Sequence, residues 1–157
     1  MTVLDQWTKC IDQGDQVDIV YIDFGKAFDK VPHKCLIYKL KHYGIHIKII
    51  NWIETFLTSR NQYVKINGVC PNYKPVLSGI PQGSVLGPVL FLIFINDLAN
   101  KINIPTFLFA DDAKLFTKIN SSYDACILNN FCQEITQWSD QWLMKVNKTK
   151  CTYFDMQ

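Results

Sequence analysis

Two adjacent acids, Asp111 and Asp112, stand between two short apolar segments and give the strongest chemical signal in the sequence. Neighbouring carboxylates at a tight turn repel each other unless a positive charge lies against them, and a divalent cation supplies that charge. Asp is also an ordinary turn residue, so a plain hairpin turn is the alternative for this pair taken alone. The pair therefore marks a candidate metal site.

A third acid, Asp23, lies near the end of an apolar, β-branched segment at residues 17–24 that predicts a buried strand. An acid at a strand end indicates a cleft, whereas the alternative is a helix N-cap for residues 25–31. Together with Asp111 and Asp112 it makes three carboxylates on two strands, a set that can hold two Mg²⁺ ions about 3.5 to 4 Å apart. That arrangement indicates phosphoryl transfer, with an activated hydroxyl and a stabilised leaving oxygen.

A bend rich in Gly and Pro, SGIPQGS at residues 78–84, is the third candidate. Glycine lets the backbone approach a ligand closely, and Gln82 offers both a donor and an acceptor. The alternative is an ordinary loop before a helix.

The elements that must position these residues follow from hydrophobic periodicity and turn residues. Residues 89–102 are apolar on nearly all sides, which predicts a helix buried inside the domain. Further helices are predicted at 33–43, at 47–58 and after a cap at Ser121 or Ser122, and strands at 62–66, 73–77, 106–110, 113–119 and 151–155. Helices mixed with antiparallel hairpins favour an α+β fold over a doubly wound parallel sheet.

The composition is that of one folded domain, because 48% of the 157 residues are apolar and 19% are charged.

Six cysteines without a CxxC pair or zinc-ligand spacing predict free thiols in a reducing compartment. The longest apolar run, at residues 85–95, is too short to span a bilayer, which needs roughly 17 to 25 residues. We therefore expect no membrane association and a location in the nucleus or cytoplasm.

The net charge of +2 conceals an uneven distribution of charge. Residues 24–96 contain nine Lys or Arg against two acids, so the rest of the chain is acidic. A basic face beside an acidic pocket suits a protein that binds a phosphate backbone next to a metal site, and the alternative is a solvated helix face.

Four motifs, taken together and in this order, resemble the reverse transcriptases of non-LTR retrotransposons. They are YIDFGKAFD at 21–29, SGIPQGSVLGP at 78–88, FADD at 109–112, and Trp142 followed by Asn147 and Lys150. The resemblance covers residues 17–154. It implies the palm of a right-hand polymerase, an antiparallel sheet packed on helices with the acids at its exposed end. It also implies RNA-directed DNA synthesis, in which a primer 3′-hydroxyl attacks a deoxynucleoside triphosphate.

The same resemblance implies roles for residues in the acidic motifs. Asp23, Asp111 and Asp112 match the catalytic and metal-binding acids, which hold two Mg²⁺ ions, with Mn²⁺ as the alternative ion. Lys150 matches a catalytic lysine near the departing pyrophosphate, whereas the alternative is a solvated lysine beside a strand.

Nucleotide binding is implied for Phe24, Phe28, Gln82 and Gly83. Phe28 matches the aromatic residue that lies under the sugar and excludes a 2′-hydroxyl by size, and the alternative is a core Phe. Gln82 and Gly83 match the motif that contacts the incoming nucleotide and the template, while Gly79 is expected to serve backbone geometry.

The chain departs from the family pattern in two ways. Gly25 stands where the family commonly has Ser, which removes no ligand. We also expect residues 1–157 to form a single partial domain, the palm, without most of the fingers and without the thumb. The implied partners are an RNA template, a DNA primer and deoxynucleoside triphosphates. The main alternative is a truncated remnant that binds nucleic acid or a partner without turnover; a nucleotidyl cyclase would leave Gln82 and Phe28 unexplained.

Overall fold

The computed structural model describes residues 3–65, 67, 72–101, 106–109 and 112–156. The helices within these ranges are α1 Val3–Asp12, α2 Ala27–Lys30, α3 His33–His42, α4 Ile47–Thr58, α5 Leu86–Lys101 and α6 Ser122–Gln141. The strands are β1 Gln16–Asp23, β2 Asn61–Gln62, β3 Lys74–Pro75, β4 Thr106–Phe109, β5 Asp112–Ile119 and β6 Thr152–Met156. The chain divides into two compact units, one made of Met1–Gly25 and Ile95–Gln157 and the other of Lys26–Phe94.

The first unit is built on an antiparallel sheet with the strand order β4-β5-β1-β6. β1 lies between β5 and β6 because its β-branched and aromatic residues fit a pleated, largely buried surface. α6 packs against β5 with apolar residues spaced three or four apart, and the buried ones are Leu128, Phe131, Ile135 and Trp138. These findings confirm the predicted α+β arrangement of an antiparallel sheet packed on helices.

Ser121 caps α6, one of the two positions proposed from the sequence. A capping box joins Ser121 and Asp124, whose carboxylate accepts backbone hydrogen bonds from Asn120 and Ser121 at 2.9 Å. The hydrogen bond from Asn120, followed by those from Ser121, lowers the pKa of Asp124. The helix therefore begins directly after β5, with only two residues between them.

α1 is an element that the sequence analysis did not predict. Its Trp7 is buried in a cluster with Val17, Ile19 and Phe116, and the rings of Trp7 and Phe116 meet edge to face at 6.0 Å. A ten-residue helix is marginal by itself, so packing of its apolar face, including Trp7, stabilises it more than local propensity does.

The second unit joins α3, α4 and the start of α5. Lys39 is buried in this unit, although lysine is a surface residue as a rule. Its Nζ donates to the carbonyl of Phe94 at 2.5 Å and lies 4.5 Å from the centre of the Phe94 ring. This lysine is therefore unavailable to the basic face expected from the charge distribution. The hydrogen bond and ring contact offset the cost of burying the ammonium.

Two predicted elements differ from the structure. Among its described residues, the hairpin predicted at 62–66 and 73–77 pairs two residues of each strand, with Asn61 opposite Pro75 and Gln62 opposite Lys74. α5 begins earlier than predicted, at Leu86, and Val89 and Leu92 on it are exposed, so the helix is not buried on all sides. No helix among the described residues is long and apolar enough to cross a membrane.

Candidate active site

The acids Asp23 and Asp112 lie side by side in the sheet of the first unit. Antiparallel pairing of β1 with β5 makes them direct cross-strand partners. Both line a cavity of about 290 Å³, which we call the carboxylate cavity, and the other lining residues are Tyr21, Ile22, Lys114 and Lys150. Like charges directly opposite each other destabilise a sheet, so this pair requires a cation or another compensating group.

Asn147 and Lys150 supply part of that compensation. The side-chain amide of Asn147 donates to Oδ2 of Asp23 at 2.9 Å, and Nζ of Lys150 lies 3.6 Å from Oδ1. The Lys150 side chain is 68% exposed, so water screens this ion pair strongly. The Asp23 carboxylate is thus held from both sides. Its alternative role as a helix N-cap is wrong, because the N-cap position of α2 is Lys26.

The backbone around Asn147 explains how this residue reaches Asp23. Its N–H donates to the carbonyl of Asp23 at 2.8 Å, and its own carbonyl accepts from the N–H groups of Lys150 and Cys151. Phe24, the residue directly after β1, forms an isolated antiparallel bridge with Val146. The segment after α6 is therefore fastened to the end of β1. The sequence analysis placed Asn147 in a motif without a role, and only its spacing from Trp142 and Lys150 signalled one.

The described donors of the carboxylate cavity suit a hard divalent cation, because Asp23 and Asp112 present carboxylate oxygens. The third predicted ligand, Asp111, lies outside the described residues. Within the described part of the chain, no group of three or more His, Cys, Asp and Glu residues comes together. The side chains present thus fit two of the three predicted ligand positions.

Phe24 is a core residue of the first unit. Its side chain has no exposed surface, and its ring centre lies 5.7 Å from that of Trp138. Any nucleotide contact at this position is therefore left to the backbone.

In the second unit, the loop at residues 78–84, which we call the motif loop, is fastened to the segment that carries Phe28. The N–H of Gly79 donates to the carbonyl of Val31 at 2.8 Å, and the N–H of Ile80 donates to that of Phe28 at 2.7 Å. Ile80 is buried. Two predicted nucleotide-binding segments are thereby joined through their backbones.

Gly79 is required by geometry at this contact. Its φ is +93°, and a Cβ atom built on it would lie 2.6 Å from the carbonyl oxygen of Asp29. Nε2 of His33 donates to the carbonyl of Gly79 at 2.8 Å. The expectation that Gly79 serves backbone geometry is confirmed, and any other residue would push the motif loop away from Asp29.

The predicted nucleotide-binding residues of the second unit are at least partly accessible. Nε2 of Gln82 donates to Oδ1 of Asp29 at 3.1 Å, and Gln82 and Gly83 are both exposed. Phe28 is half-buried and stacks on Phe91, with ring centres 4.4 Å apart and planes at 20°. Phe28 is neither a fully buried core residue nor a freely exposed one. Its role in excluding a 2′-hydroxyl by size stays a prediction.

Comparison with known proteins agrees with this geometry. Residues 4–157 match the family model described as reverse transcriptase (RNA-dependent DNA polymerase). The RNA-directed DNA polymerase from mobile element jockey of Drosophila melanogaster is 30% identical over 141 residues, which cover 83% of this chain and 15% of that protein. The probable RNA-directed DNA polymerase from transposon BS of the same species is 29% identical over 157 residues, covering 90% of this chain and 17% of that protein. This chain therefore spans less than a fifth of the length of either relative.

Among solved structures, apo telomerase from Candida tropicalis has a similar fold. The TM-score is 0.72 at 12% sequence identity, and the match covers 96% of this chain and 31% of that one. Telomerase from Candida albicans in complex with a fragment of telomeric RNA matches with a TM-score of 0.71 at 15% identity, covering 97% of this chain and 29% of that one. The α+β polymerase fold is thereby confirmed, and the chain belongs to the reverse transcriptase family, of the non-LTR retrotransposon type.

Proposed function

We propose that this chain is the catalytic palm of an RNA-directed DNA polymerase, which transfers a deoxynucleotide to a primer 3′-hydroxyl. The observation that carries the proposal is the cross-strand pair Asp23 and Asp112, whose side chains line one cavity together with Lys150. Two paired carboxylates beside a cation are suited to holding metal ions and a phosphate group at one place. Asp111, next to Asp112 in the sequence, is the proposed third acid.

The proposed cofactor is a pair of Mg²⁺ ions, with Mn²⁺ as the alternative, held by Asp23, Asp111 and Asp112. Bound there, such ions would supply charge stabilisation to the attacking and leaving oxygens. The amide of Asn147 fixes the orientation of the Asp23 carboxylate through the bond to Oδ2. The exposed, flexible side chain of Lys150 is long enough to turn toward a departing pyrophosphate and offset its negative charge.

Substrate selection is proposed for the second unit. Phe28 would exclude ribonucleotides by meeting their 2′-hydroxyl, while Gln82 and Gly83 would contact the nucleotide and the RNA template. The backbone bonds between the motif loop and the Phe28 segment support this division, since they fix the two segments relative to each other. The proposed partners are an RNA template, a DNA primer and deoxynucleoside triphosphates, in the nucleus or cytoplasm.

Primer extension tests the proposal. The 157-residue chain, joined to a reverse transcriptase fingers segment before Val17 and a thumb after Gln157, is incubated with poly(rA)/oligo(dT), dTTP and Mg²⁺. The same fusion is tested with Asp23→Asn and with the matched control Asp140→Asn, an exposed acid on α6. We expect extension by the wild-type fusion and by its Asp140→Asn variant, and a loss of at least about 10³-fold in Asp23→Asn, because several kcal/mol of charge stabilisation disappear. The bare 157-residue chain should not extend the primer processively, because phosphoryl transfer requires a positioned triphosphate and primer end as well as bound ions.

The alternative function gives a different result. A folded palm that binds nucleic acid without turnover would retain the primer-template yet extend it in none of the three proteins. Equal extension by the wild type and Asp23→Asn would contradict the assignment of the carboxylate cavity.

A further inference from the structure

Two tyrosines stand together on the hairpin of the second unit. Tyr63 and Tyr73 are the next residues inward from the paired Gln62 and Lys74, and their ring centres lie 5.0 Å apart with planes at 68°. Tyr63 is 49% exposed and Tyr73 is 68% exposed. An edge-to-face pair leaves ring faces uncovered, so these rings offer flat apolar surfaces to solvent.

The surroundings of this tyrosine pair are cationic. Residues 59–77 contain Arg60, Lys65 and Lys74 and no acid. The guanidinium of Arg60 lies 5.8 Å from the centre of the Phe56 ring, which in turn stacks on the exposed Trp52. Exposed aromatic rings and cations thus occur together in this part of the unit, and Lys74 lines the same cavity as Tyr63. A polyanion with flat apolar groups matches this combination better than an uncharged partner does.

The tyrosine pair and the motif loop have common neighbours in the same unit. One cavity of about 530 Å³ is lined by Tyr63, and a second of about 750 Å³ is lined by Arg60 and the motif loop as far as Gln82. Gln62 and Lys74 line both cavities. Lys74 therefore lies beside Tyr63 on one side and beside the cavity of the motif loop on the other.

We propose that this surface binds an unpaired strand of RNA, with bases stacked on Tyr63 and Tyr73 and phosphates contacted by Arg60 and Lys74. Stacking platforms flanked by cations are the general means by which proteins hold single-stranded nucleic acid. The choice of RNA rests on the proposed function, in which Gln82 contacts an RNA template. The occupant is then the part of the template that is not paired with the primer.

Fluorescence anisotropy tests this site without catalysis. The 157-residue chain is titrated into a labelled 15-nucleotide oligouridylate, with neither metal nor nucleotide present. We expect the double substitution Tyr63→Ala with Tyr73→Ala to raise Kd by about tenfold or more, because two base-stacking contacts are lost. Tyr123→Ala, which removes an exposed tyrosine from α6, should bind like the wild type.

Further variants separate stacking from general apolar contact. Replacing both tyrosines by Phe should preserve binding, whereas replacing both by Leu should weaken it as much as Ala does, since Leu has area but no π-face. Arg60→Gln and Lys74→Gln should each lower the slope of log Kd against log salt by about 0.7, the value for one phosphate contact on a single strand.

Three outcomes would overturn this inference: wild-type affinity in the double Ala variant, full binding by the double Leu variant, or equally tight binding of a 15-base-pair RNA duplex. The double Leu result would mean that apolar area, and not stacking on an aromatic ring, accounts for the RNA contact. Failure here is separable from failure of the proposed function, because extension that requires Asp23 would persist even if the tyrosines contributed nothing to oligouridylate binding.

Discussion

The carboxylate cavity and the motif loop are held in place by different means. In the cavity, Asp23 and Asp112 are positioned by the register of two long paired strands. In the motif loop, position depends on single backbone bonds such as those from Gly79 and Ile80, and on a close approach to Asp29. Eight residue pairs therefore fix the positions of Asp23 and Asp112, whereas the position of the motif loop depends strongly on one glycine, Gly79.

This difference predicts two kinds of sensitivity. In the carboxylate cavity, activity should tolerate substitutions that change the shape of a side chain but not those that change its charge, since neighbouring strands fix the backbone. The motif loop should tolerate changes of charge but not the addition of a single carbon atom at Gly79.

Gly79→Ala should destabilise the protein by roughly 2–4 kcal/mol, because the added Cβ meets the Asp29 backbone and the positive φ disfavours any L side chain. Urea denaturation measures this effect. Gly44→Ala is the matched control, since Gly44 has a φ of +73° and no neighbour within 4 Å of its added Cβ. Equal losses in the two variants would mean that the close approach to Asp29 contributes nothing.

Asn147→Ala should lower kcat for primer extension by about 10- to 100-fold, because a hydrogen bond to a charged carboxylate is removed. The Mg²⁺ concentration for half-maximal rate should rise as well, since Asp23 is then free to rotate. Asn130→Ala, an exposed asparagine on α6, is the control. If Asn147→Ala lost stability while the Mg²⁺ concentration for half-maximal rate stayed unchanged, Asn147 would have a structural role alone.

Phe28→Val should admit ribonucleotides about tenfold more readily, because the smaller side chain leaves room for a 2′-hydroxyl. Single-nucleotide incorporation of UTP and dTTP on a poly(rA) template measures this ratio. Phe91→Leu, which alters the ring stacked beneath Phe28 but leaves Phe28 present, is the control. An unchanged ratio in Phe28→Val would leave Phe28 as a packing residue alone.

Tyr153→Phe should cost at most about 1 kcal/mol at neutral pH, since Tyr153 is more than half exposed and water screens its bond to the buried Asp18. The hydrogen bond to Asp18 raises the pKa of Tyr153 to about 12. The phenol therefore stays protonated to a higher pH in the folded chain than in the unfolded one. The stability difference between wild type and variant should therefore persist up to pH 10 and vanish as the pH rises through 12. Urea denaturation across this range checks it.

The sequence predicted the longer strand and helices better than the short hairpin, for physical reasons. β1 and the two helices α3 and α4 have strong periodic patterns, and their predicted bounds agree with the structure within one residue. β2 and β3 are weakly specified, because an isolated two-stranded hairpin gains little from its own pairing. α1 was missed although Leu4, Trp7 and Ile11 recur at helical spacing, a local pattern that could have predicted the helix.

The contact of Asn147 with Asp23 could not be predicted from local sequence. The hydrogen bond joins residues 124 positions apart, so it depends on the tertiary structure. The burial of Phe24 against Trp138 likewise depends on the placement of α6. Motif spacing selected the candidate site residues, but tertiary contacts decide whether each one can act through its side chain, through its backbone or through another residue.

Metal binding by the carboxylate cavity can be measured with neither primer nor nucleotide. Mn²⁺ is titrated into the 157-residue chain while the electron paramagnetic resonance signal of the free ion is followed. We expect saturable binding by the wild type and by Asp140→Asn, and competition by Mg²⁺. Binding should be at least about tenfold weaker in Asp23→Asn and in Asp112→Asn, since each loses a carboxylate ligand. Unchanged Mn²⁺ affinity in Asp23→Asn would contradict the carboxylate cavity as a metal site.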